Sequence, residues 1–217
     1  MGELSADRLT ALLRPHFLEV LGGFDCKGEA EFPDWARSVL LLGPREPGFW
    51  AHLKAQPEWG GADPVDRWSR RVIGRLACDL GGKARFPFGG PPYDPFYQWA
   101  LRSGQVWDSP VRLLVHGTQG LMVSIRGALV LREMLEVPAA QKPCETCAQP
   151  CVTACPVGAL GPDGYDVPAC HAFLDQPEGA DCLSNGCRVR RACPVSQGYA
   201  RLAEQSAYHM GRFHRAG

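Results

Sequence analysis

The chain has 217 residues, 45% hydrophobic and 21% charged, which excludes a disordered or fibrous protein and leaves enough chain for a sizeable core. Its 23 basic and 23 acidic residues cancel, which argues against a nucleic-acid binder that lives on counterion release. The balance hides an asymmetry, because residues 182–217 carry six arginines against one acid, Glu204. Residues 1–20 hold charges at Glu3, Asp7, Arg8 and Arg14 and no long apolar run, so no secretory leader is expected. No stretch is apolar enough to span a bilayer, and a reducing cytoplasm is the expected compartment.

The first predicted element is a short amphipathic helix capped by Ser5 and running to Leu13. A strand follows over Phe17–Leu21 and is expected to end at Gly22-Gly23. Ser38–Gly43 is a short apolar run stopped by Pro44, which reads as a buried strand. Phe49–Lys54 reads as a helix. The clearest helix spans Asp63 to Leu80, with Asp63 at the cap and Pro64 at the first helical position. Its apolar stripe is Val65, Trp68, Val72, Leu76 and Leu80. Residues 85–96 are too rich in Pro and Gly for regular structure and too aromatic for an idle loop, and Phe96–Arg102 reads as a helix. Val111–His116 and Leu121–Val130 read as two strands of one hairpin, and residues 137–143 as a linker. Helices and strands without regular alternation predict an α+β fold, with one domain over 1–140 and a second over 141–217.

The cysteines are more informative than the elements. Of ten, Cys26 and Cys78 stand alone and read as small buried hydrophobes, while eight fall between 144 and 193. The first block is Cys144-Glu-Thr-Cys147-Ala-Gln-Pro-Cys151-Val-Thr-Ala-Cys155-Pro156. The second is Cys170, Cys182, Cys187 and Cys193-Pro194. Eight thiolates are the number that two [4Fe–4S] clusters require, and the fourth cysteine of such a run, followed by proline, turns away to a second cluster. Pro150 is an extra residue relative to the bacterial ferredoxin spacing, and the second block is more spread out. Structural zinc on four or eight of the thiols is one alternative. Disulfides are another, disfavoured by the expected compartment. The Cys-Pro endings tip the reading to iron–sulfur.

With these residues in view, the tail resembles the two-cluster module of epoxyqueuosine reductases and respiratory reductive dehalogenases. The resemblance implies a ferredoxin-like fold with Cys144, Cys147, Cys151 and Cys193 on one cluster and Cys155, Cys170, Cys182 and Cys187 on the other. Upstream, His116-Gly-Thr-Gln-Gly120 and Ile125-Arg126-Gly127 are similar to a stretch of CblC-type cobalamin-processing proteins. That similarity implies a nitroreductase-like, corrinoid-binding domain, although Gly117 stands where that family has proline. Gly89, Gly90 and Tyr93 would line a small-residue loop beside the corrinoid, with His116, Gly120, Arg126 and Gly127 as further contacts. Asp94 falls near where epoxyqueuosine reductases place a proton-donating aspartate.

Each of these residues has a plainer reading. Arg126 reads equally as a salt-bridged arginine, His116 as a satisfied turn histidine, and Asp94 as a turn cap. Phe86, Phe88, Tyr93, Phe96, Tyr97 and Trp99 read as core or as a wall for a flat ligand. The implied function is an iron–sulfur redox protein passing electrons through two clusters to a bound cofactor, a corrinoid, with a redox protein as donor. The alternatives are a stand-alone electron carrier or a cobalamin-handling chaperone. Arg188, Arg190 and Arg191 would either balance cluster charge internally or meet an acidic redox partner. Neither nucleic acid nor membrane is expected as a partner.

Overall fold

The computed structural model describes residues 4–214. In chain order the larger elements are α1 (Ala6–Leu13), β1 (Leu18–Asp25), β2 (Ser38–Pro44), α2 (Phe49–Lys54), α3 (Pro64–Asp79), β3 (Lys83–Arg85) and α4 (Phe96–Arg102). There follow β4 (Val106–Asp108), β5 (Leu114–His116), β6 (Gly127–Leu131), β7 (Leu160–Gly161) and β8 (Gly164–Tyr165). The chain closes with α5 (Val167–Leu174), α6 (Ala180–Asn185), α7 (Arg188–Ala192), α8 (Pro194–Gly198) and α9 (Ala203–Phe213). The fold is α+β, with antiparallel strand pairing in its main sheet. No helix among the described residues is long and apolar enough to cross a membrane.

The chain divides into two compact units. The first comprises residues 1–106 and 124–140, the second 107–123 and 141–217. The change of unit at 140/141 coincides with the boundary expected from sequence, but the segment 107–123 belongs with the C-terminal part.

The first unit is built on a four-stranded sheet in the order β1-β2-β6-β3. Strand β2 is buried along its whole length, as its apolar run requires. Strand β6 is likewise buried at every position and pairs with β2 on one side and β3 on the other. Helix α3 packs on β6 and β3, burying Val65, Trp68, Val72 and Leu76 as its periodicity predicts. Asp63 holds the cap position, but its side chain makes no capping bond. Ser5 does cap α1, its hydroxyl accepting from Arg8 N–H.

Three expectations are corrected. Strand β1 does not stop at the glycine pair but runs through it to Asp25, with its register shifting between Val20 and Gly22. Gly22 has φ +137°, and a Cβ there would lie 2.5 Å from the Ser103 hydroxyl, so the glycines let α4 approach the strand rather than end it. The hairpin expected over 111–130 does not form. Strand β5 pairs with β4 in a separate two-stranded sheet, and an isolated His116–Gly120 bridge is all that remains of the expected turn. The apolar run of β6 is satisfied by two strand neighbours and burial on both faces, which a hairpin edge would not provide. Cys26 is buried as expected, but Cys78 is exposed, lying off the buried stripe of α3.

Candidate metal centre

All eight clustered cysteines lie in the second unit, and all ten in the chain are free thiols. Local sequence explains how each is presented. Gln149 takes a left-handed φ of 55° and Pro150 opens a 3-10 turn, Pro150–Thr153, that carries Cys151. The extra proline noted in the sequence is thus the start of a turn. Cys193 ends α7 in extended conformation and is also the cap of α8, whose first residue is Pro194, a position where the missing N–H costs nothing. Cys170 rides on α5, which Asp166 caps by accepting from Ala169 N–H at 2.9 Å. Cys182 rides on α6, and Cys187 caps α7. Between them Gly186 has φ +88°, and a Cβ there would come within 2.6 Å of the Ser206 side chain on α9.

The thiols fall into two groups by which ones act on one another electrostatically. Burial pushes the Cys144 thiol up, and Cys193 and Cys147 push it the same way against the pull of Lys142. Burial also raises Cys151, with Cys193, Cys144 and Cys147 adding to it. In the other group, burial raises Cys170, the Tyr165 hydroxyl opposes, and Cys187, Cys155 and Cys182 raise it further. Burial again leads for Cys182, with Cys187 as a neighbour. Cys144 and Cys151 thus have Cys147 and Cys193 as neighbours, and Cys170 has Cys155, Cys182 and Cys187. Among the described residues, no three His, Cys, Asp or Glu side chains converge on a point where one metal ion would sit.

The first set surrounds a small cavity whose wall also includes Ser109, Val115 and Leu121. Cys151 and Cys193 are part of the unit's apolar core, together with Val111, Leu160 and Val189. Cys147 Sγ accepts from the backbone N–H of Gln149 at 3.3 Å. In the second set, Tyr165 Oη donates to Cys170 Sγ at 3.4 Å. Tyr165 stacks on Phe213, which stacks in turn on His171, whose Nδ1 lies 2.6 Å from that of His214. The wall residues on 107–123 went unrecognised in the sequence, where that segment reads as half of an ordinary hairpin.

The arginines after Cys182 are engaged inside the unit. Arg188 and Arg191 both bind Asp181, at 2.7 and 2.5 Å. Arg190 donates to the carbonyl of Leu121, and Arg201 to that of Met122. One carboxylate thus faces two of these guanidinium groups, while the other two are held by main-chain carbonyls. Arg215 lies outside the described residues.

The remaining expected site residues are divided between the units. His116 and Gly120 lie in the second; Gly89, Gly90, Tyr93, Asp94, Arg126 and Gly127 lie in the first. His116 Nδ1 accepts from the N–H groups of Thr118 and Gln119, so the ring holds its own turn together. Gly120, at φ +58°, leaves no room for a Cβ against Ser196, whose hydroxyl accepts from Leu121 N–H. Arg126 pairs with Asp66 at 3.3 Å, and Asp94 with Arg85 at 3.6 Å. The Tyr93 ring lies over Gly90 but is otherwise exposed. Gly127 sits in β6 against Arg85 and Ile73. Of the aromatic set, Phe96 and Trp99 are core, Phe86 and Phe88 pack together beneath Arg70, and Tyr97 is exposed.

No family model, no curated protein and no solved structure matches the chain.

Proposed function

We propose that this protein is an electron carrier whose second unit holds two [4Fe–4S] clusters in a ferredoxin-like arrangement. One is bound by Cys144, Cys147, Cys151 and Cys193, the other by Cys155, Cys170, Cys182 and Cys187. The observation that carries the reading is the gathering of Cys144, Cys147, Cys151 and Cys193 around one cavity in a unit that holds all eight clustered thiols. The chemistry of the donors agrees. A single zinc ion needs its ligands gathered about one point, whereas a four-iron cluster offers a separate iron to each thiolate and spaces them by its own bulk.

The chain's own residues do the positioning. Cys151 and Cys155 serve different sets four residues apart, and four extended residues span roughly 14 Å at most. Cys187 and Cys193, at the two ends of α7, serve the sets in the opposite sense. Two short segments thus each bridge both centres and hold them close enough for an electron to pass directly. When bound, the clusters supply reversible one-electron transfer, accepting an electron from a reduced donor protein and giving it to an acceptor. The apolar core shields Cys151 and Cys193 from water, while Cys144 and Cys147 are half-buried.

The upstream resemblance also implies a corrinoid as acceptor. His116 and Arg126 are engaged in a turn and an ion pair, so the activity proposed here ends at electron transfer. The test is the metal content of anaerobically purified protein. About eight iron and eight sulfide per chain are expected. One or two zinc per chain, with no iron–sulfur absorbance, overturns the proposal.

A further inference from the structure

The cavity framed by Cys144, Cys147, Cys151 and Cys193 has only two polar non-cysteine side chains in its wall, Gln149 and Ser109. The Gln149 amide is engaged, its Nε2 donating to the Cys144 carbonyl at 3.3 Å. Ser109 differs. It is 4% exposed, and its backbone is used up by a turn. Its N–H donates to the Leu113 carbonyl at 2.9 Å, and its carbonyl accepts from Arg112 N–H at 3.0 Å. The hydroxyl is left over, buried and without a hydrogen-bond partner among the described residues.

A buried hydroxyl without a partner is destabilising relative to alanine at the same place, since it has given up water and gained nothing. A trapped water would be a poor remedy, because it needs two to four polar partners and this wall is otherwise built from residues such as Val115, Leu121 and Val195. The partner that fits is the sulfur-rich group which the four thiols would hold. We propose that the Ser109 hydroxyl donates a hydrogen bond to a sulfur of the cluster at this cavity and thereby raises that cluster's reduction potential.

The inference rests on the two-cluster reading of the thiols. Reduction adds one electron and makes the cluster more negative. In an apolar cavity that charge is poorly solvated, so a fixed donor favours the reduced form over the oxidised one. No bond to Ser109 forms or breaks, and the hydroxyl keeps its proton. The second set has a side-chain donor of the same kind, Tyr165 on Cys170. Ser109 gives the first set its counterpart, drawn from a segment 35 residues before the first clustered cysteine.

The experiment is a dithionite titration of the full chain with both clusters in place, followed by electron paramagnetic resonance. Ser109→Ala should keep the iron and sulfide of the parent protein. It should weaken reduction of one cluster by on the order of tenfold, which is about 59 mV for a one-electron couple. The other cluster should not move. Ser109→Thr keeps the hydroxyl and should keep the parent potential. If Ser109→Ala does not accumulate, Ser109→Gly removes the same hydroxyl at the turn and carries the same expectation. A variant with full iron and both potentials unmoved overturns the role of Ser109 while leaving the cluster reading intact, as does Ser109→Thr shifting as far as alanine. A parent protein that takes up no iron overturns both.

Discussion

The two units of this chain stabilise themselves by different means. The first has an ordinary apolar core, with β2 and β6 buried throughout and Trp50, Trp68 and Trp99 fully enclosed. The second has strands of two or three residues, helices mostly of five to eight, and a core in which Cys151 and Cys193 stand among a few aliphatic side chains. Helices that short are marginal on propensity alone. A unit of this kind needs a staple, and the thiols are where one would be placed. The first unit is thus organised by its sheet, whereas the second packs its short elements around its cysteines.

The most drastic way to break this comparison is to remove the metal. Stripping iron from the full chain should abolish amide-exchange protection over α5 to α9 while Ser38–Pro44 and Gly127–Leu131 stay protected, because the proposed clusters would couple binding to folding in the second unit alone. Equal protection of the second unit with and without iron would contradict it. A sharper cut separates the two sets. Cys147→Ser and Cys170→Ser should each lose about half of the eight iron expected, with different resonance signals disappearing. Full iron in Cys170→Ser would remove that residue from the ligands.

A packing change in the first unit should act the other way. Trp68→Ala removes a fully buried ring from α3 and should cost about 3–5 kcal/mol in denaturant unfolding of that unit, with iron content unchanged. Iron loss in this variant would show that the units are not independently stabilised. The smallest effect is electrostatic. Hydrogen bonds, first from Arg188 and then from Asn185, hold the Asp181 carboxyl down to about 2, with Arg191 adding to them. A carboxyl lowered on folding stabilises above its ordinary value near 3.9 and loses that contribution as pH falls through the folded one. Asp181→Asn should therefore be slightly less stable at neutral pH, by the small amount of an exposed, salt-screened pair. The gap from the parent protein should close between about pH 4 and 2. A gap that persists below pH 2 would assign the effect to packing instead.

What could be read in the sequence follows from the range of the forces involved. Helix α3, its stripe and the buried strand β2 are encoded by periodicity and by the neighbouring Pro and Gly, which act over a few residues. The eight cysteines, their Cys-Pro endings and the charge they invite are equally local. Gly22-Gly23 misleads because glycine serves both as a stop and as a place for close approach, and only the position of Ser103 tells which. Val111–His116 and Leu121–Val130 each have strand character, but nothing in either says which strand it pairs with. That depends on β2 and β3 flanking β6, and on burial from both faces.

The same limit applies to the candidate site. By itself the sequence determined that eight thiols stand within fifty residues, and residues 144–155 presented four of them in one compact turn. Their division into sets was implied there only by resemblance, and what the structure adds is that Cys144, Cys147, Cys151 and Cys193 line one cavity. The wall facing the first set was decided by tertiary structure alone. Ser109, Val115 and Leu121 are an ordinary serine and two aliphatics in a segment of strand character. They gain meaning only when folding brings residues 107–123 against Cys144 and Cys193, because burial and a missing hydrogen-bond partner are properties of a place in space and not of a position in the chain.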